Sequence, residues 1–184
     1  VTQLLQYARP TEYAGYVESL DVNRTLENSL VLVGHLLAHT RIQVIRELQA
    51  TARAGLNRQE LQQVVINLLV NAIQAMPQGG RLLLRTRNGQ DDDGRPGVVI
   101  DIADSGPGLS AQVRERLFHP FFTTRSDGNG LGLWISMGLV ERYGGTISAA
   151  NRRERGEDAD GATFRIWLLT EPRAPETRES TIFR

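Results

Sequence analysis

The 184-residue chain contains no cysteine, and this absence excludes disulfide scaffolds, thiol catalysis and cysteine-ligated zinc. It also has no excess of charge of either sign, because 21 arginines balance 21 aspartates and glutamates. Such a balanced chain has no overall field that would attract nucleic acid or an anionic membrane. Any polyanion that it binds must therefore be held by a local site, and we expect no nucleic-acid partner.

Long hydrophobic runs are absent as well, since no apolar stretch approaches the ~20 residues that span a bilayer. The N-terminus also lacks the charged-then-apolar profile of a secretory signal. Apolar residues nevertheless make up 40% of the chain and charged residues 23%, which is typical of a soluble globular domain. Composition therefore predicts one domain with a hydrophobic core.

The hydrophobic pattern predicts helices that alternate with strands. The predicted helices cover residues 22–39, 58–76 and 131–143, and the predicted strands cover residues 42–48, 81–87, 98–103, 146–150 and 162–169. Residues 51–57 and 104–132 are predicted to be loops, apart from the start of the last helix. This order predicts an α/β fold: a two-layer sandwich of a mixed, mostly antiparallel sheet with helices on one face. We expect residues 1–10 to end an upstream helix, residues 11–170 to form the domain and residues 171–184 to be a flexible tail.

A glycine-rich string runs from Asp104 to Gly108, directly after the predicted strand 98–103. A carboxylate at a strand end, followed by glycines that let backbone approach a ligand, suits recognition of a flat base through an exocyclic amine. An ordinary turn is the competing interpretation, because such a string by itself is a weak signal of a nucleotide site.

A second glycine-rich segment, residues 128–133, runs into the predicted helix 131–143. Glycines before a helix N-terminus expose N–H groups at the positive end of the helix dipole, and this arrangement favours phosphate binding. The segment lacks the lysine and hydroxyl residue of a P-loop and does not follow a buried strand, so neither that motif nor the Rossmann motif fits. A flexible linker before a helix is the alternative.

Asn67 and Asn71 are one turn apart on the polar side of the predicted helix 58–76. Their amide oxygens can reach one point, and neutral oxygen ligands suit a magnesium ion that is otherwise held by phosphates and water. For two asparagines taken alone, a solvated helix face is the stronger interpretation.

Phenylalanines cluster between the two glycine-rich segments, at Phe118, Phe121 and Phe122. Aromatic side chains in a polar loop need a surface to pack against, which indicates a docking surface or a lid. Core packing is the alternative for any one of them. Arg125 follows the cluster and could pair with phosphate oxygens, although an isolated arginine is usually a surface charge.

In this order, the motifs resemble the boxes of the Bergerat-type ATP-binding domain of sensor histidine kinases. Residues 67–72 are similar to the N box, 104–108 to the first glycine box, 118–122 to the phenylalanine box, 128–133 to the second glycine box and 161–164 to the closing strand motif. The resemblance covers about residues 22–169, and four boxes in order make it specific. Gln74 and residues 120–125 look most like the nitrogen-regulation and oxygen-sensing branch.

The resemblance implies that ATP and Mg²⁺ are the ligands. Asp104 would accept a hydrogen bond from the adenine amine, Asn71 with help from Asn67 would hold Mg²⁺, and Thr163 would lie beside the adenine. The implied catalytic residues are Asn67, Asn71 and Arg125. The implied nucleotide-binding residues are Asn71, Asp104, Gly106, Gly108, Leu109, Phe121, Thr124, Gly128, Gly130, Leu131, Gly132, Leu133 and Thr163.

The resemblance also implies a protein-histidine kinase that transfers the γ-phosphoryl group to a histidine on a dimerisation domain. His35, His39 and His119 all lack the acidic neighbour that follows the acceptor histidine in that family, so we expect the acceptor on an upstream helix. Residues 4–10 resemble the end of the second dimerisation helix. The expected partners are this dimerisation domain, within a homodimeric parent, and a cytoplasmic response regulator. The domain is expected in the cytoplasm, and the sequence leaves open whether the parent is anchored in the inner membrane.

Two alternatives to a kinase stay open. ATPases of the gyrase, mismatch-repair and heat-shock-chaperone group carry a catalytic glutamate where this chain has Asn67. An amide cannot take a proton from water, so the sequence predicts slow hydrolysis. The other alternative is a catalytically degenerate nucleotide-binding or scaffolding module that signals by docking alone.

Overall fold

The computed structural model describes residues 16–123, 128 and 130–171. Its regular elements follow one another in an order close to the predicted one. They are β1 (Glu18–Leu20), α1 (Val22–Leu32), α2 (Gly34–Leu37), β2 (Ile42–Leu48), β3 (Ala54–Leu56), α3 (Arg58–Gln74), β4 (Gly80–Gln90), β5 (Pro96–Ala103), α4 (Ala111–Arg116), α5 (Gly132–Arg142), β6 (Thr146–Asn151), a 3₁₀ turn (Arg153–Arg155) and β7 (Ala162–Leu169).

Five of the strands form one sheet in the order β2-β4-β5-β7-β6. The β2–β4 pair is parallel, whereas the other three pairs are antiparallel. The short strands β1 and β3 form a separate antiparallel pair. The predicted fold class, a two-layer sandwich with a mixed and mostly antiparallel sheet, is therefore confirmed.

The hydrophobic core lies between one face of the sheet and the helices. Because side chains alternate along a strand, every second residue of β4, β5 and β7 points into this core. The helix α3 supplies the facing side chains from its three-four repeat. The fully buried members of this core include Leu61, Leu68, Leu69, Leu82, Leu84, Ile100, Ile102, Ile166 and Leu168.

The helix α3 begins where the sequence predicts it, because Asn57 caps it. The Asn57 side chain accepts a hydrogen bond from the Glu60 N–H at 3.1 Å, which satisfies one of the unpaired N–H groups of the first turn. This cap and the apolar repeat fix which face of α3 is buried. The same orientation of the helix turns its opposite face, which carries Asn67 and Asn71, away from the core.

Three element predictions are wrong in detail. Residues 51–57 were expected to be a loop, but Ala54–Leu56 pairs with Glu18–Leu20. The expected helix 22–39 is interrupted at Val33, which separates α1 from α2. The expected loop 104–132 contains the short helix α4, which is capped by Ser110. Elements of three to six residues are too short to produce a recognisable hydrophobic period.

The predicted upstream helix, residues 1–10, lies outside the described residues, and so does the predicted tail beyond Glu171. The proposed division of the chain therefore stays a prediction. Over the part of the chain that the structure describes, no helix has the length and apolarity required to cross a membrane.

A polar cluster joins the first turn of α3 to the end of α5. The Tyr143 hydroxyl donates to Glu60 Oε2 at 2.6 Å, and Arg142 Nη1 donates to Glu60 Oε1 at 2.8 Å. Burial, followed by the hydrogen bond to Glu60, raises the pKa of Tyr143 to about 12. The cluster holds α5 against α3 at the ends of these helices.

We expect the free energy of unfolding to fall as the pH rises from about 10 to about 12. Tyr143 titrates near pH 10 in the unfolded chain but holds its proton more tightly when folded, with a pKa of about 12. Its contribution is therefore complete below the unfolded pKa and is lost as the pH passes the folded pKa. Urea unfolding of the wild type and Tyr143→Phe across this range measures the effect. Identical pH profiles for the two proteins would rule out this contribution.

Candidate nucleotide site

A cavity of about 670 Å³ lies beside α3, the end of β5, the start of β7 and the glycine-rich segments. Its volume is in the range of about 300 to 1,000 Å³ that is common for small-molecule sites. The residues that line it are Asn67, Val70, Asn71, Gln74, Ala75, Asp104, Pro107, Gly108, Leu109, Val113, Leu117, Phe122, Thr123, Gly128, Gly130, Gly132, Leu133, Ala162 and Phe164.

The cavity brings together predicted residues that are far apart in the sequence. Asn71 comes from the helix α3, whereas Asp104 follows the strand β5, and both line the same cavity. Among the other predicted residues, the cavity wall contains Asn67, Gly108, Leu109, Gly128, Gly130, Gly132 and Leu133. The two ends of the predicted site, one for a metal and one for a base, are therefore parts of one cavity.

Thr163 is not among the residues that line this cavity, and its place beside the adenine stays a prediction. Successive strand residues point to opposite faces, and it is Ala162 and Phe164 that line the cavity. Thr163 instead pairs with Ala103 and Ala150 of the neighbouring strands.

Three other predicted residues lie near the cavity without lining it. Gly106 donates its N–H to Asp104 Oδ1 at 2.8 Å, so it fixes the orientation of the carboxylate. Phe121 has a positive φ of 61° and is 75% exposed. Leu131 precedes α5 as its N-cap residue. The predicted residues Thr124 and Arg125 lie outside the described residues.

Asp104 is a buried carboxylate at the wall, with only 3% of its surface exposed. Its Oδ1 accepts hydrogen bonds from the N–H groups of Gly106, at 2.8 Å, and Ala162, at 3.3 Å. Burial raises the pKa of Asp104, although these two N–H groups and the charge of Arg152 act in the opposite direction. Among the described residues, no donor reaches Oδ2, so this oxygen can accept a hydrogen bond from a ligand.

The two asparagines of α3 have different surroundings. Asn67 Nδ2 donates to the buried Ser136 hydroxyl of α5 at 2.9 Å. A Cβ atom on Gly132 would lie only 2.6 Å from Asn67 Oδ1, so Asn67 packs directly against the start of α5. Asn71 also lines the cavity, and no described side chain forms a hydrogen bond with its amide. Asn71 is therefore the better oxygen ligand for a cation, and Asn67 ties α3 to α5.

The second glycine-rich segment packs backbone against backbone with the phenylalanine cluster. Gly130 has a φ of 67°, and a Cβ atom there would overlap the main chain of Phe121 and Phe122. The Phe122 ring lines the cavity, with the guanidinium carbon of Arg116 at 4.9 Å from the ring centroid. This close approach requires glycine at position 130.

Several residues of the wall were not predicted from the sequence. Val70, Gln74 and Ala75 could have been found, because they follow Asn67 and Asn71 at helical spacing. Val113 and Leu117 belong to the unpredicted helix α4 and its C-cap. The remaining additions are Pro107, Phe122, Thr123, Ala162 and Phe164.

Comparisons with known proteins agree on one family. A family described as "Histidine kinase-, DNA gyrase B-, and HSP90-like ATPase" matches residues 56–172. The sensor histidine kinase ZraS of Escherichia coli (strain K12) is 34% identical over 175 residues, which cover 91% of this chain and 34% of ZraS. The chain thus spans about a third of the length of that relative.

Solved structures of another histidine kinase share this fold. The catalytic domain of the histidine kinase ThkA has a TM-score of 0.74 and 27% identity, and the match covers 86% of this chain and 98% of that one. A second structure contains ThkA in complex with the response regulator protein TrrA. It has a TM-score of 0.73 and 26% identity, and the match covers 96% of this chain and 47% of that one.

Proposed function

Because this chain belongs to the family of histidine kinase-, DNA gyrase B- and HSP90-like ATPases, we propose that it is the ATP-binding catalytic domain of a sensor histidine kinase. In this function it binds Mg-ATP and presents the γ-phosphoryl group to a histidine on a dimerisation domain. The observation that carries the proposal is the single cavity that contains both Asn71 and Asp104.

The base end of the nucleotide lies at Asp104. Its Oδ2 accepts a hydrogen bond from the exocyclic amine of adenine, while Oδ1 stays bound to Gly106 and Ala162. Leu109 and Phe164 provide apolar surface for the ring. A buried acceptor with a fixed orientation favours adenine over a base that presents a carbonyl oxygen at the same position.

The phosphate end lies at the start of α5. No described side chain caps this eleven-residue helix, so the N–H groups of Gly132 and Leu133 can donate to phosphate oxygens. The amide oxygen of Asn71 fits Mg²⁺, which accepts one or two protein oxygens and takes its other ligands from phosphates and water. When bound, Mg²⁺ neutralises phosphate charge during transfer. Thr124 and Arg125 stay proposed contacts from the resemblance.

In the transfer step, a nitrogen of the acceptor imidazole forms a bond to the γ-phosphorus, and the bond from that phosphorus to the β–γ bridging oxygen breaks. ADP leaves with the electron pair of that bond. The chain contributes by holding the nucleotide in position, since phosphoryl transfer needs positioning and charge stabilisation more than protein covalent chemistry.

The geometry around Asn67 disfavours an ATPase. Hydrolysis needs a base that takes a proton from water, but the Asn67 amide instead donates a hydrogen bond to Ser136. The second alternative, a degenerate docking module, is disfavoured because Asn71 and Asp104 both line the cavity.

The partners of the whole protein belong to the same proposal. The complex of ThkA with the response regulator TrrA supports a response regulator as a partner. A homodimeric parent, a cytoplasmic site of action and the nitrogen-regulation or oxygen-sensing branch stay predictions of the resemblance.

The proposal is tested by transfer in trans. We expect this chain, mixed with a separately purified dimerisation domain and labelled ATP, to place acid-labile, base-stable phosphate on the acceptor histidine. Asn71→Ala should lower the rate at least about ten-fold, because the cation loses a protein ligand. Label on this chain itself, or phosphate released to water faster than to the histidine, would contradict the proposal.

A further inference from the structure

We propose that Asn151 is a positioning residue that fixes the base-side wall of the nucleotide cavity, an inference that rests on the proposed function. Asn151 is the last residue of β6 and does not line the cavity. It acts through Leu109, which does line it.

The Asn151 amide pairs with the backbone of Leu109 through two hydrogen bonds. Its Oδ1 accepts from the Leu109 N–H at 2.7 Å, and its Nδ2 donates to the Leu109 carbonyl oxygen at 2.9 Å. A side-chain amide thus replaces the pairing that a neighbouring strand would give. Two simultaneous bonds define both the position and the orientation of this segment.

Gly108 is the neighbour that allows this approach. It has a φ of 78°, and a Cβ atom there would lie 2.7 Å from Asn151 Oδ1. A side chain at position 108 would therefore displace the Asn151 amide as well as strain the backbone. The contact with Asn151 therefore requires glycine at position 108, the last residue of the Asp104–Gly108 string.

The pairing closes a loop whose other end is already fixed. Asp104 donates its N–H to the Ala162 carbonyl oxygen at 2.9 Å, and Ala162 is the strand partner of Asn151. Asn151 then holds Leu109. The segment from Asp104 to Leu109 is therefore attached to β7 at its first residue and to β6 at its last. Its conformation is fixed before a base enters the cavity.

A further contact extends the connection to the helix α4. Glu154 Oε2 accepts from the Asn151 N–H at 3.2 Å and also from Arg114 of α4. Val113, next to Arg114, lines the cavity. Asn151 and Glu154 thus link two parts of the wall, at Leu109 and at Val113.

A wall that is ordered before binding does not have to be ordered by the ligand, so its loss should lower affinity. We expect Asn151→Ala to weaken ATP and ADP about ten-fold, the effect of one to two net hydrogen bonds. Because the defect lies at the base end, its size should be the same with and without Mg²⁺. An Asn71→Ala change should instead act only in the presence of Mg²⁺. Isothermal titration calorimetry of both nucleotides measures these effects.

Asn88→Ala is the matched control. Asn88 Oδ1 accepts from the N–H groups of Thr51 and Ala52, both at 2.9 Å, and these residues do not line the cavity. Its loss should lower stability without changing nucleotide affinity. Amide hydrogen exchange of the nucleotide-free protein adds a second readout, because Asn151→Ala should accelerate exchange at Leu109.

The outcomes separate this inference from the proposed function. A wild-type chain that binds no ATP would refute the proposed function. A chain that binds ATP with the same affinity in the wild type and Asn151→Ala, or in which Asn88→Ala has an equal effect, would overturn the positioning role alone. If Asn151→Ala does not fold, Glu154→Ala provides the same comparison with an expected loss of about two- to three-fold.

Discussion

Replacing Asp104 with alanine is expected to weaken ATP binding about ten- to a hundred-fold. A hydrogen bond to a charged acceptor contributes about 1.5 to 3 kcal/mol, and 1.4 kcal/mol corresponds to a factor of ten in affinity. The expected loss of binding free energy is large for a single hydrogen bond, because Asp104 is only 3% exposed and water cannot easily take its place as the acceptor. Calorimetric titration of ATP into the wild type and the variant gives the ratio directly.

Two further variants locate this effect in the site. Asp104→Asn keeps an oxygen that can accept from Gly106 and Ala162, but it places an NH2 donor where Oδ2 accepts from the adenine amine, so it should lose about as much affinity as alanine. Asp160→Ala removes a carboxylate of the β6–β7 loop that is 74% exposed, and it should leave the affinity unchanged. An unchanged affinity in Asp104→Ala would remove this residue from the base site.

Replacing Gly161 with alanine is expected to abolish ATP binding and to destabilise the fold. Gly161 has a φ of 111°, and a Cβ atom there would overlap the carbonyl oxygen of Asp104 and lie 2.9 Å from the Ser105 Cα. Neither backbone can move without breaking the pairing of Asp104 with Ala162. The same substitution therefore damages both the sheet and the carboxylate that recognises the base.

Gly156→Ala is the matched control, because Gly156 lies in the same loop with a φ of 80° but has open space around its Cβ position. It should cost about 1 kcal/mol of unfolding free energy for the left-handed backbone and leave ATP affinity unchanged. Gly161→Ala should cost about 1 to 3 kcal/mol more, as overpacking does. Urea unfolding and calorimetry compare the two variants, and equal losses in both would mean that the contact with Asp104 has no effect.

The sequence predicted the part of the site that depends on local periodicity. The repeat of α3 and its Asn57 cap placed Asn67 and Asn71 together on the polar face. The alternation of β5 placed Asp104 directly after a buried strand. In both cases the position of the residue follows from its own helix or strand, so the hydrophobic pattern was sufficient to predict it.

Contacts between distant segments could not be predicted in the same way. A one-residue difference in strand register reverses which side chains of β7 face the cavity, so the alternation of β7 alone does not identify Ala162 and Phe164 as wall residues. The pairing of Asn151 with Leu109 joins residues that are 42 positions apart, and no local pattern marks it. The hydrogen bond from Asn67 to Ser136 could not be predicted from the sequence either, because it depends on how α5 packs against α3.

The central claim is that one nucleotide spans the cavity from Asp104 to Asn71. A crystal structure of this chain with Mg²⁺ and a non-hydrolysable ATP analogue tests it most directly. We expect the adenine amine within hydrogen-bonding distance of Asp104 Oδ2 and the metal about 2.1 Å from the Asn71 amide oxygen. An adenine bound away from Asp104, or a metal that Asn71 does not contact, would contradict it.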